Sequence, residues 1–192
     1  MTPSAVRRAQ LSIEDFEQIA RTAPETVKFE LTNGRIEVKP MPDQLHKAVV
    51  MWLLRQCMQH RPELALYPEQ GLLTETYRNG RARPDGALAP LDHFVGHGEW
   101  APADGVLMTV EVTSHDRDTD RRDRVEKRDG YAATGIPVHL LVDRDAEKLV
   151  VYTDPYKGEY QSRASHAYGA TVKLPHPVSI TLETEKLKDY TR

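Results

Sequence analysis

The sequence predicts an α/β fold of the mixed α+β kind, a mixed β-sheet with helices packed against it, and three observations carry that expectation. First, residues 105 to 143 read strand, helix, strand: "GVLMTVEVT", then "DTDRRDRVEKRDGYAAT" stopping at Gly135 with Pro137 behind it, then "PVHLLVD". Two such strands joined through a helix need parallel pairing and a right-handed crossover. Second, Asn33-Gly34 and Asn79-Gly80 sit between apolar stretches, the strongest short-range signal for an antiparallel hairpin. Third, "DQLHKAVVMWLLRQCMQH" is apolar over most of a helical circumference. It predicts a well-buried helix ending near Pro62.

The remaining elements follow in order. Ser12 with Asp15 three residues later is a capping-box pattern, so a short helix is expected over 11–22. With Asn33 and Gly34 as a two-residue loop, Leu31 faces Ile36 and Phe29 faces Val38, which makes one apolar face. On the other face Glu30 opposes Glu37, and like charges directly opposed are destabilising. "LALYPEQ", "LLTETYR" and "RARPDGALA" read as strands, the last two joined as a second hairpin at Asn79-Gly80. Residues 90 to 104 read as a loop, and "KLVVYT" is a further strand. No repeat, linker or low-complexity segment interrupts the chain. One domain is therefore expected over 1–192, with a core at about 27–160 and a β-rich tail over 161–192.

The 192 residues suffice for one domain with a real core. A formal net charge of −3 means that any nucleic-acid contact needs a local basic patch. Cys57 is the only cysteine, which excludes an intramolecular disulfide and a Cys-rich zinc site and suits a reducing cytoplasm. The N-terminus "MTPSAVRRAQ" lacks a signal-peptide core, and "AVVMWLL" is far too short to span a bilayer. A cytoplasmic protein with no membrane partner is expected.

Glu111 poses the chemical question. It is a single carboxylate in "LMTVEVT", a run that otherwise reads as a buried strand. A buried carboxylate without a partner costs several kcal/mol, roughly, and tends to protonate instead. Asp85 follows Pro84 in the preceding strand, and Lys127 lies on the following helix with Tyr131 one turn on. Two carboxylates from adjacent strands can flank a divalent cation, and their oxygens favour hard ions such as Mg²⁺ or Mn²⁺. Such an ion activates water and offsets charge on a phosphoryl transition state, while a nearby lysine can orient or deprotonate the water.

Taken one at a time, these residues also have ordinary structural readings. Asp85 could be a strand-end aspartate. Lys127 lies among six acidic and six basic residues between His115 and Asp129, a pattern typical of a solvated helix face. His46 opens a buried helix as either a structural or a site-lining histidine. "DRDTD" begins like an EF-hand loop, but the required glycine is Arg121 and the twelfth-position acid is Lys127, so that reading is discarded. His93 and His97 have helical ligand spacing without an evident helix.

Several of these segments together resemble a known family. "FELTNGRIEV", His46, "RPDGALAP", "VEVTS" and "EKRDGYAATGIPVHLLVD" match in order the pattern of the Uma2-like (DUF820) endonucleases, within the PD-(D/E)XK nuclease superfamily. The resemblance covers roughly residues 11 to 160. It implies a restriction-endonuclease-like core and Mg²⁺- or Mn²⁺-dependent cleavage of DNA. It makes Asp85 and Glu111 the metal carboxylates and Lys127 the catalytic lysine, with Glu30, His46 and Tyr131 in support. The superfamily's usual lysine position, two after the glutamate, is Thr113 here, and Lys127 matches the family's helix-borne alternative.

For phosphate contacts, Arg81 and Arg83 (with Arg78) around one hairpin and Arg121 and Arg124 (with Arg122) on the helix are the candidates. The competing expectation is a non-catalytic nucleic-acid-binding or accessory protein that keeps the fold. A homodimer is left open.

Overall fold

The computed structural model describes residues 11–39, 41–75, 79–113 and 117–191, with side chains in the last segment from residue 125. Helix α1 (Ile13–Thr22) begins at Ser12, whose hydroxyl accepts from the Asp15 amide at 3.0 Å, the expected cap. Strands β1 (Lys28–Thr32) and β2 (Arg35–Lys39) pair in the predicted register, Glu30 opposite Glu37 included. Asn33 and Gly34 turn between them at φ 50° and 75°, the left-handed pair that a tight hairpin favours.

The faces of this hairpin differ from expectation. Ile36 and Val38 are 37% and 61% exposed, whereas Glu30 and Lys39 are buried. Leu31 of the apolar face is buried too, at 2% exposed, so β1 is covered on both faces, and the buried charges Glu30 and Lys39 each meet an opposite one.

Helix α2 (Gln44–His60) is capped by Asp43, which accepts from the His46 amide at 2.7 Å. It buries Val49, Leu53 and Cys57 completely but leaves Met51 and Met58 about half exposed, so one side stays open. Strands β3 (Leu64–Tyr67) and β4 (Gly71–Thr74) follow. The stretch "RARPDGALA" forms two strands rather than one, β5 (Gly80–Ala82) and β6 (Gly86–Pro90). Pro84 lacks an amide hydrogen and constrains Arg83 before it, so the ladder breaks at Arg83-Pro84-Asp85. The β4–β5 register, Thr74 opposite Gly80, gives a connection over 75–79 instead of a two-residue loop.

The rest comprises β7 (Trp100–Ala101), β8 (Met108–Val112), α3 (Arg117–Ala133), β9 (Val138–Asp143), β10 (Lys148–Tyr156), β11 (Glu159–Ala167), β12 (Thr171–Lys173), β13 (Thr181–Glu183) and a 3₁₀ helix, Thr184–Tyr190. A six-stranded sheet has the order β11-β10-β9-β8-β6-β3, and a five-stranded sheet the order β2-β1-β5-β4-β7. In the first, β8 and β9 are parallel through α3, as the crossover requires. Because β5 and β6 belong to different sheets, the bend at Asp85 is where the two sheets meet. Among the described residues no helix is long and apolar enough to cross a membrane.

The central strands have two distinct faces. Met108, Val110, Val112, Val138, Leu140 and Val142 join Val49 and Leu53 of α2 in the larger apolar cluster. Alternation sends Thr109, Glu111 and His139 to the opposite face, where α3 supplies Tyr131. Gly86 allows β6 to lie close to β3, since a Cβ there would come within 2.9 Å of Leu66.

Candidate active site

The polar face under α3 gathers charges from four elements. Asp85, at the sheet junction, is 5% exposed. Its Oδ2 accepts from the Val112 amide at 2.7 Å, which fixes the carboxylate against β8. Its Oδ1 accepts from Lys39 Nζ at 2.7 Å and lies 3.2 Å from His46 Nε2. Burial pushes the Asp85 carboxyl up, but the Lys39 ammonium, backed by His46, overrides that and holds it below the usual carboxylate range.

Glu111 has the partners that its burial demands. Its Oε1 accepts from Tyr131 Oη at 2.7 Å and from Lys127 Nζ at 3.3 Å. Lys127 and Tyr131 are four apart on α3 and so share a face. Lys127 Nζ also lies 2.8 Å from Glu30 Oε2, and Glu30 Oε1 accepts from the Arg83 amide. Lys39 Nζ donates in turn to the Arg83 carbonyl at 2.7 Å. The bend before Asp85 is thereby clasped on both sides by the first hairpin.

Among the described residues, three buried carboxyl groups, Glu30, Asp85 and Glu111, face two ammoniums, Lys39 and Lys127. Burial, with Asp85 and Glu30 close by, raises the Glu111 carboxyl above its ordinary value even against Lys127. Burial acts to lower Lys127, but Glu111 and Glu30 outweigh it and hold its pKa well above that of a free lysine. Lys127 is therefore an ammonium at neutral pH. Tyr131, raised by burial and by the same carboxylates, stays protonated and donates.

Asp85, Glu111, Lys127, Glu30, His46 and Tyr131 are thus brought to one place. Sequence reasoning missed Lys39 as a member. The signal was its position across the hairpin, two residues along from Glu37 and therefore on the face of Glu30. Thr113, at the usual lysine position, is buried and accepts from the Arg144 amide at 2.8 Å, so it holds the turn after β9 instead.

The arginines behave differently from expectation. Arg81 is buried and paired with Glu17 at 3.0 Å. Arg83 is buried, paired with Glu99 and set 4.2 Å over the Trp100 ring. Both are paired with acids of neighbouring elements because they lie on β5 and at its end, between α1 and β7. Arg78 and the side chains of Arg121, Arg122 and Arg124 lie outside the described residues, as does that of Asp123.

A cavity of about 540 Å³ opens beside Asp85, Lys39 and His46. Among the described residues no three His, Cys, Asp or Glu side chains form a metal-ligand cluster. The carboxyl groups of Asp85 and Glu111 are the oxygen donors that could hold a metal ion. Such hard oxygen donors fit Mg²⁺ or Mn²⁺, which commonly bind through one or two carboxylates and complete their shell with water and phosphate.

A family model places the chain in a family, and a solved structure shares its fold. The family model of Uma2, described as "Putative restriction endonuclease", matches residues 13–185. Among solved structures, "a putative nuclease belonging to DUF820" from Anabaena variabilis superposes with a TM-score of 0.73 at 17% identity, covering 95% of this chain and 99% of that one. At that identity the likeness establishes the restriction-endonuclease-like fold alone. No curated protein matches the chain.

Proposed function

The chain belongs to the Uma2 family, and from that premise we propose that it is a divalent-metal-dependent nuclease that hydrolyses phosphodiester bonds in DNA. The observation that carries this reading is the convergence of Asp85 and Glu111 from the sheet junction and β8, with Lys127 held beside Glu111. Asp85 and Glu111 would hold Mg²⁺ or Mn²⁺. That ion would supply an acidified water and positive charge for the phosphoryl transition state.

The roles of the protein's own groups follow from their protonation. Lys127 remains charged, so it orients and stabilises by donating and is no general base. Tyr131 fixes the Glu111 carboxylate through its hydroxyl. Lys39 and His46 fix Asp85, and Glu30 positions Lys127 while steadying the Arg83 amide. These hydrogen bonds hold both carboxylates in one orientation before substrate arrives, which is the preorganisation that electrostatic catalysis requires.

The test is a cleavage assay in Mg²⁺ and in Mn²⁺ on supercoiled, linear and single-stranded DNA, with Asp85→Ala as control. Metal-dependent cleavage abolished by the substitution is expected. DNA binding without cleavage in either metal would instead identify a non-catalytic protein that keeps the fold.

A further inference from the structure

We propose that the cavity beside Asp85 is a nucleobase pocket that receives one unstacked base of the strand being cut. The inference rests on the nuclease reading above and specifies its substrate as DNA with an unpaired or extrudable base. The cavity's volume of about 540 Å³ lies within the roughly 300–1,000 Å³ of small-ligand pockets.

Five of its lining residues are apolar: Met41, Pro42, Val50, Met51 and Pro68. Met41 and Met51 are 72% and 54% exposed, large apolar side chains left open to solvent at the edge of a charged site. Phosphate and sugar gain nothing from such walls. A base does, because its faces are flat and apolar, and thioethers pack favourably on aromatic rings.

The location identifies which part of a nucleic acid enters. Asp85, Lys39 and His46 belong to this cavity as well as to the carboxylate site. Whatever fills the cavity is therefore next to the phosphodiester that the carboxylates address. In an intact duplex both faces of every base are covered by stacking, so only a base that has left the stack can present them here. Enzymes that extrude a base hold it between aromatic or apolar side chains and read its hydrogen-bonding edge.

Charge at the rim suits the same occupant. Lys28 and Lys47 are exposed cavity residues without an ion pair among the described residues, which makes them available to the flanking phosphates. Glu25 and Glu69 line the cavity too. Carboxylates there accept from the amino groups of adenine, cytosine or guanine, and thymine offers only its ring N–H. Preference for an amino-bearing base follows.

The experiment measures binding in EDTA, where no cleavage occurs, with the full chain. One duplex carries 2-aminopurine opposite an abasic site and its twin carries it opposite thymine. The unpaired probe should bind roughly 10-fold or more tightly, the scale of one stacked base, with a change in 2-aminopurine fluorescence. Met41→Asp and Met51→Asp alter exposed side chains, so circular dichroism should stay that of the wild type while the discrimination falls to near unity. Equal affinity for the two duplexes, or discrimination that survives both substitutions, overturns the pocket. The nuclease reading fails separately, by absence of metal-dependent cleavage on any DNA. A protein that cuts both duplexes equally and binds them equally keeps the nuclease reading and loses the pocket.

Discussion

Lys39 and Asp85 form a buried ion pair, with Nζ 2.7 Å from Oδ1 and both side chains less than a tenth exposed. The pair ties the end of β2 to the bend between the two sheets. It also makes the site's aspartate dependent on a residue 46 positions away in sequence.

Lys39→Met should therefore destabilise the protein. Removing one partner of a buried pair costs about 3–5 kcal/mol in general, and His46, still 3.2 Å from the same oxygen, places this case near the lower end. Adding Asp85→Asn should recover part of the loss, giving an interaction of about 1 kcal/mol or more in a double-mutant cycle. Urea unfolding of the four proteins measures it. Strict additivity would mean that Lys39 does not anchor Asp85.

Lys127→Met should lower metal-dependent cleavage by roughly 10²-fold or more, the scale for losing a positioned electrostatic group. Metal affinity should hold or rise, because a neighbouring cation is gone. Arg128→Met is the control, since Arg128 pairs with Asp129 at 2.7 Å and faces Tyr152 rather than the carboxylates. Equal losses in the two variants would assign α3 to general DNA binding.

Much of this arrangement was legible in the sequence. Periodicity and turn chemistry placed the first hairpin register, helix α2 and the parallel β8–β9 crossover. The isolation of Glu111 in an apolar strand pointed to a paired acid. What local pattern could not reveal was that the hairpin buries charge on its polar face as well as Leu31 on its apolar one. Ile36 and Val38 look like core residues, yet Glu30 and Lys39 took the interior because their partners come from distant elements, Lys127 and Asp85. The fates of Arg81 and Arg83 were hidden for the same reason: Glu17 and Glu99 are near them only in three dimensions. Pro84 did signal the break that divides "RARPDGALA" between two sheets, although the residues around it read as one strand.

Acid should destabilise the protein partly through His139. Burial, with Arg128 and Lys127 nearby, lowers its pKa from 6.5 to about 3. Its ring lies between Tyr131, Tyr152 and Tyr160 and bonds the Thr109 hydroxyl at 3.0 Å. In the unfolded chain the imidazole protonates near pH 6.5, while the folded one stays neutral. Its contribution is thus full above about pH 6.5 and is lost as pH falls from there towards 3, a few kcal/mol in all on the order-of-magnitude scale of proton linkage. The wild type should lose more stability between pH 6.5 and pH 4 than His139→Phe, whose loss of the Thr109 bond is the same at every pH. Parallel curves would show that His139 is not buried as a neutral ring.

The central claim, that Asp85 and Glu111 jointly hold one divalent cation, is tested most directly by calorimetric titration of Mn²⁺ into the wild type, Asp85→Asn, Glu111→Gln and the double variant. One site in the wild type is predicted, weakened at least about 10-fold in each single variant, the scale of a lost ligand or its close support, and absent from the double. Mn²⁺ binding unchanged in the double variant would contradict it.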